Sequence, residues 1–192
     1  IDLQACEDKN IKVTNVPTYG ENTVAEHTLA LILNFTRKIH KAWERTRHLD
    51  FSTDGLRGTD LREKTLGVIG TGNIGQHVIR MAKGFEMNVI AFDVVKNASL
   101  AKKLGFKYVS FDNLLKKSDI LTLHVPYNKH THHMINKKNI NKIKKGALII
   151  NTSRGANIDT DALYHALRNK SLGGAGLDVL EEECFVKDDK EV

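Results

Sequence analysis

Leu66-Gly67-Val68-Ile69-Gly70-Thr71-Gly72-Asn73-Ile74-Gly75 leads from an apolar run into three glycines at G-x-G-x-x-G spacing. The apolar run predicts a strand and Gln76 to Gly84 predicts a helix, so the glycines occupy a strand-to-helix turn. Eighteen residues past Gly75, Asp93 closes the next apolar run, Asn88 to Phe92. Together these features form a dinucleotide-binding fingerprint. Gly70 serves the tight turn, Gly72 lets backbone approach a pyrophosphate, and Gly75 lets helix and strand pack closely. The helix start at Asn73 and Ile74 then offers unpaired N–H groups to the pyrophosphate.

From residue 66 onward, short apolar runs alternate with helical patterns. Six strands are predicted: 66–70, 88–92, 106–109, 120–124, 147–151 and 173–178. Helices are predicted over 73–84, 99–104, 112–117, 137–142 and 160–169. This β-α alternation predicts an α/β fold with a doubly wound parallel sheet. Runs such as Ala147-Leu148-Ile149-Ile150 are apolar throughout, as strands covered on both faces should be.

Residues 1–65 stand outside that pattern. Ile11 to Val16 reads as a strand stopped by Pro17. Thr23-Val24-Ala25-Glu26 has capping-box spacing and is expected to open one long helix ending near His48, with Glu26 and His27 as cap and core polar group. Ala25 to Leu33 is apolar nearly all round, so this half needs cover from more than one neighbour, and a partner subunit could supply it.

Composition narrows the classes. The 192 residues suffice for a sizeable core, and 41% apolar with 27% charged residues is ordinary for a globular protein. No apolar run approaches the roughly 20 residues of a membrane span. Cys6 and Cys184 have no C-x-x-C spacing, which fits a reducing compartment, the cytoplasm by default. The net charge of +6 comes mainly from scattered lysines, with clusters at 137–138 and 142–145. No aromatic residues interleave them, so they read as a solvated face and no nucleic-acid partner is expected. His130, His132 and His133 lie in a polar loop without a partner carboxylate or thiol at ligand spacing, so no metal is expected.

Four further segments flank the fingerprint: Asn15-Val16-Pro17 with Val24-Ala25-Glu26-His27; His124-Val125-Pro126; Asn151-Thr152-Ser153-Arg154-Gly155; and Gly174-Ala175-Gly176-Leu177-Asp178-Val179 with Glu181-Glu182-Glu183. In order and spacing the chain resembles the D-isomer-specific 2-hydroxyacid dehydrogenases, and among them the D-lactate type. The resemblance implies a Rossmann domain that binds NAD, a long helix joining it to a flavodoxin-like substrate domain, and a homodimer. It divides the chain into a substrate-domain remnant (1–20), an inter-domain and dimerisation helix (21–50), the NAD-binding domain (51–180) and the start of a return segment (181–192).

The resemblance also implies roles. Arg154 matches the arginine that anchors the carboxylate of a 2-hydroxy or 2-oxo acid, a task suited to its planar fork; a surface ion pair is the plainer alternative. Glu183 matches the acid that holds the catalytic histidine and raises its pKa, unless it is simply one of an acidic trio. Asp93 matches the ribose carboxylate, which would repel a 2′-phosphate and so favours NAD over NADP, with Lys96 nearby to soften that preference. His124, Val125 and Pro126 match the loop covering the adenine side, and Thr152, Ser153 and Asp178 match positions at the nicotinamide end; His124 and Thr152 read equally well as polar residues ending strands. None of the nine histidines occupies the position of the family's catalytic histidine, so the chain is expected to be part of a longer enzyme. A non-catalytic NAD-sensing interaction protein, like the corepressors that share this fold, would carry the same motifs.

Overall fold

The structure, a computed structural model, describes residues 1–16 and 18–183. Pro17, expected to stop a strand, and residues 184–192 of the expected return segment, Cys184 among them, lie outside the described residues. Six parallel strands form one sheet: β1 (Thr65–Ile69), β2 (Asn88–Phe92), β3 (Lys107–Tyr108), β4 (Ile120–Leu123), β5 (Leu148–Asn151) and β6 (Gly174–Leu177). Their order is β3-β2-β1-β4-β5-β6. The sheet therefore winds outward both ways from β1 and β4, and the switch point between them is where α/β sheets place ligands.

Register and side-chain alternation explain the two cores. Leu66 and Val68 of β1, Val89 and Ala91 of β2, and Leu148 and Ile150 of β5 face one side. There they meet the helices α2 (Glu21–Thr36), α4 (Asn73–Gly84) and α5 (Ala98–Leu104). Ile69, Leu121, Leu123 and Ile149 face the other, against α6 (Phe111–Lys117) and α7 (Thr160–Arg168). Every residue of β4 and β5 is buried, which accounts for their mainly apolar, non-alternating sequence, Thr122 and Asn151 being the exceptions. Burying one such Leu or Ile contributes about 1.5–3 kcal/mol, and these strands together with β1 supply nine buried apolar side chains to the two faces.

The N-terminal part departs from expectation in three ways. A short helix, α1 (Leu3–Asp8), capped by Asp2, precedes Ile11 to Val16, and that segment is exposed and joins no strand ladder among the described residues. A strand needs a neighbouring ladder, and strand-favouring residues alone do not provide one. Next, α2 begins at Glu21 behind a left-handed Gly20 (φ 70°), so Thr23 is inside the helix and no capping box forms; Glu26 accepts from the Asn22 amide instead. Last, the long helix breaks. Lys38 takes a left-handed conformation (φ 57°), and α3 (Ile39–Arg47) follows as a separate helix. The Thr36 carbonyl accepts from the Thr59 N–H (2.9 Å), and the His40 N–H goes to the Asn34 side chain (3.0 Å), so the α-helical ladder cannot continue.

The apolar breadth of α2 is covered within the chain, by α4 on one side and β6 on the other. A Cβ on Gly174 would overlap the Phe35 ring, and one on Gly176 would press on Leu31, so the bare β6 backbone is the seat of the helix. The prediction of a helix over 137–142 also fails in part. Asn136 and Asn139 exchange side-chain bonds with the backbone (Asn139 to Met134 carbonyl 2.8 Å; Lys138 N–H to Asn136 2.9 Å), leaving only a 3-10 turn at Ile140–Lys142.

Candidate functional site

A cleft of about 1020 Å³ opens at the carboxyl ends of β1, β4 and β5. Its walls carry Gly72, Asn73 and Ile74 from the glycine turn, His124, Val125 and Pro126 after β4, and Thr152, Ser153 and Arg154 after β5. Leu180, Glu182 and Glu183 close one side, and Tyr19, Glu21 and Val24 the other. Sequence elements more than a hundred residues apart thus converge because all strands point their carboxyl ends the same way.

The glycine turn is built as the fingerprint requires. Gly70 has φ +92°, and a Cβ there would overlap the His124 carbonyl of β4's exit loop. A Cβ on Gly75 would overlap the Gly70 carbonyl, so α4 rests directly on the turn. Gly72 differs: a Cβ there meets nothing within 4 Å, because it faces the cleft. It is the N-cap of α4 and, having no side chain, leaves the first N–H groups uncapped toward that space. Empty room over bare backbone donors fits a pyrophosphate.

Asp93 lies beside this turn. Its Oδ2 accepts from the Thr71 N–H (2.7 Å) and hydroxyl (2.8 Å), and its Oδ1 from the Val95 N–H (3.1 Å). Burial pushes its carboxyl up, but these bonds outweigh burial and hold it below the ordinary carboxylate range. An ionised, fixed acceptor with unfilled lone pairs suits a ribose diol. At the other end, Asp178 follows β6; its N–H reaches the Asn151 carbonyl (3.0 Å) and its carboxylate meets His27 at 3.3 Å. His27 is half exposed, so it is no core polar group; its partnership with Asp178 was not legible from a helix-cap pattern.

The β5 turn is held from within. Asn151 accepts from the Ser153 N–H (3.0 Å) and hydroxyl (2.7 Å) and donates to the Arg154 carbonyl (2.9 Å). The Ser153 side chain is thereby structural. Thr28 donates to the Val24 carbonyl (2.9 Å), so the buried contact between Thr28 and Thr152 hydroxyls (3.0 Å) takes its proton from Thr152. Arg154 stays exposed to the cleft, tethered by one bond to the Ser153 carbonyl (2.7 Å). Gly155 permits the 180–181 backbone to cross directly over the turn, which brings the acidic segment alongside Arg154. Within that segment Glu181 is pinned away from the cleft by His133 (2.5 Å) and Thr160 (2.7 Å), while Glu182 and Glu183 line it.

His124 is the cleft's imidazole among the described residues. Its Nε2 meets the Thr122 hydroxyl (3.0 Å), its Nδ1 is buried without a partner among the described residues, and burial lowers its pKa to about 4. The ring is neutral at pH 7. Since its folded pKa lies below the ordinary 6.5, the unfolded chain binds the extra proton, and stability is lost as pH falls from 6.5 through 4. Thermal melts across that range are expected to show the loss in the wild type and a smaller one in His124→Gln. An equal loss in both would place the titration elsewhere. The lowered carboxyls of Asp93 and Glu181 act only further down, their stabilisation being lost as pH falls below about 4.

Tyr19 and Glu21 went unread in the sequence. Glu21 accepts from the Asn73 amide (2.5 Å), tying α2 to the glycine turn. Its only local signal was an acidic residue in a helix's first turn, masked by the expected start at Thr23. Among the described residues no three metal-ligating side chains cluster, and no helix is long and apolar enough to cross a membrane.

Residues 29–191 match the family described as D-isomer specific 2-hydroxyacid dehydrogenase, NAD binding domain. The chain belongs to that family. It is 42% identical over 183 residues to the D-lactate dehydrogenase of Escherichia coli, covering 95% of this chain and 55% of that protein. It is 44% identical over 184 residues to the aromatic 2-oxoacid reductase of Clostridium sporogenes, again 95% of this chain and 55% of that one. The Aquifex aeolicus D-lactate dehydrogenase, solved with NAD and lactic acid, superposes with a TM-score of 0.88 at 45% identity, over 100% of this chain and 59% of that one. The chain thus spans a little over half the length of these relatives, and that part is a six-stranded Rossmann sheet.

Proposed function

We propose that this chain is the nucleotide-binding part of an NAD-dependent dehydrogenase that interconverts a D-2-hydroxy acid of the lactate type and its 2-oxo acid. The observation that carries the proposal is the convergence, in one cleft, of an uncapped glycine turn, backed by the fixed carboxylate of Asp93, and the exposed guanidinium at the end of β5. Bound there, NAD would supply the hydride acceptor. The backbone of Gly72, Asn73 and Ile74 holds the pyrophosphate and Asp93 the ribose diol, while Val125 and Pro126 cover the adenine side. Thr152 and Asp178 flank the nicotinamide end. Arg154 grips the substrate carboxylate and orients the carbon that reacts, and Glu183 beside it positions the proton carrier. That carrier is not His124: burial lowers its pKa to about 4, so the imidazolium that would act as the acid is scarcely populated at pH 7.

Fluorescence titration of the 192-residue chain is expected to show saturable NADH binding and NADPH binding at least tenfold weaker, with pyruvate reduction about a hundredfold or more below that of an intact dehydrogenase. Absence of NADH binding would overturn the cofactor assignment. Fast turnover would overturn the assignment of proton transfer to a group outside the cleft. The same reading includes a reducing, cytoplasmic setting and a homodimer. Since α2 is covered within the chain, the dimer's support moves to α3, where Ile39 and Trp43 are exposed; a monomer at all concentrations in sedimentation would remove it.

A further inference from the structure

The cofactor assignment rests on Asp93, and a hydroxyl that no motif singled out stands behind that carboxylate. Tyr108 of β3 places its phenol oxygen 2.9 Å from the Thr71 hydroxyl and 3.3 Å from the Asn97 N–H. The direction of these bonds is forced. Asp93 only accepts, so the single Thr71 proton goes to Asp93 Oδ2 at 2.8 Å. Tyr108 must then donate to Thr71, and its oxygen accepts from Asn97. The result is a one-way relay, Asn97 N–H to Tyr108 to Thr71 to Asp93, each donor polarising the next.

The relay clamps both ends of a short exposed segment. At one end the Asp93 carboxylate is fixed by three donors. At the other, Asn97 is held by Tyr108 and itself caps α5 through the Leu100 N–H (2.9 Å). Between them lie Val94, Val95 and Lys96, all exposed. Lys96 is the nearest cation to Asp93 in sequence, and its backbone position is set one residue away by the Tyr108 bond to Asn97.

Resting on the cofactor reading above, we propose that the Tyr108 hydroxyl is a positioning residue for cofactor choice: it locks Asp93 toward the ribose and holds Lys96 back, so that a 2′-phosphate meets a fixed negative charge and no compensating cation. Tyr108 touches neither cofactor nor substrate in this scheme. It acts through Thr71 and through the segment 93–97.

The test is a pair of NADH and NADPH titrations on the full 192-residue chain. Tyr108→Phe keeps the ring, which packs edge-on against Phe106 at 5.0 Å, and removes only the hydroxyl. The ratio of NADPH to NADH affinity is expected to rise about five- to tenfold, the worth of one such bond. Adding Lys96→Ala to Tyr108→Phe is expected to reverse most of the gain. Thr71→Val, which breaks the relay one link closer to Asp93, should shift the ratio the same way, and Thr71→Ser should restore it. These variants carry the test where Tyr108→Phe does not fold. Equal weakening of both cofactors, or an unchanged ratio, in folded Tyr108→Phe or Thr71→Val overturns the proposal by reducing Tyr108 to a purely structural role. A wild type that binds NADH with the expected preference keeps the cofactor reading standing in that case; a wild type that binds neither cofactor overturns both.

Discussion

Gly75→Ala is expected to lower the thermal midpoint by about 4–8 °C, whereas Gly72→Ala leaves the midpoint within a degree or two and weakens NADH binding by about a hundredfold or more. The two glycines sit three residues apart, and a Cβ on each meets different matter. At Gly75 it meets the Gly70 carbonyl, with the carbonyl carbon at 3.1 Å. Backbone cannot turn aside as a flexible side chain can, so strand β1 and helix α4 must separate. Forced overpacking of this kind costs about 3 kcal/mol, a large share of a domain's 5–15 kcal/mol. Alanine's better helix propensity returns at most about 1 kcal/mol of it. At Gly72 the Cβ meets nothing within 4 Å, and φ of −67° is ordinary for alanine, so the fold has no reason to object. The methyl instead enters the space over the first N–H groups of α4, where a pyrophosphate must come within hydrogen-bond distance. Thermal melts and NADH titrations on both variants separate the two roles. Wild-type NADH affinity in Gly72→Ala would remove the glycine turn as the pyrophosphate seat, whatever the melts show.

This division also marks what was legible in the sequence. The parallel sheet was, because its strands are buried on both faces and read as mainly apolar without alternation: Ile120 to Leu123 and Leu148 to Asn151 are buried at every position, with Thr122 and Asn151 their only polar residues. The cleft residues of the glycine turn and of the β4 and β5 exits were legible too, since each follows a strand and all strands end on the same edge. What failed was decided by partners distant in sequence. Nothing in Arg37-Lys38-Ile39 announces a break, since neither Gly nor Pro is present; it arises because Thr59, 23 residues past Thr36, claims that carbonyl. Likewise Ile11 to Val16 reads as a strand yet has no ladder beside it among the described residues. The acidic trio could not be sorted by composition. His133, 48 residues before Glu181, draws that one carboxylate out of the cleft and leaves Glu183 on its wall. The Tyr108 relay was invisible for the same reason, its links to Thr71 and Asn97 being made across strands and loops.

Replacing Arg154 by Lys is expected to cost pyruvate reduction about two to four orders of magnitude in kcat/KM while leaving stability and NADH affinity unchanged. Among the described residues its guanidinium makes a single bond, to the adjacent Ser153 carbonyl (2.7 Å), so losing it costs the fold within about 0.5 kcal/mol. That tether fixes one nitrogen and leaves the rest of the fork facing the cleft, where two parallel bonds to a carboxylate are worth about 1.5–3 kcal/mol each. An ammonium keeps the charge but cannot reproduce both bonds in one plane. The measurement needs turnover, which a chimera provides: residues 1–192 replacing the matching segment of the Escherichia coli D-lactate dehydrogenase, to which they are 42% identical over 183 residues. The chimera is expected to reduce pyruvate with NADH. Arg154→Lys within it should depress kcat/KM for pyruvate without moving the NADH dissociation constant, because Arg154 lies past β5, away from the glycine turn and Asp93. A variant that loses affinity for NADH and pyruvate alike would make Arg154 a cofactor ligand. One that keeps wild-type kcat/KM would return it to the surface and leave the substrate carboxylate to be held by another group.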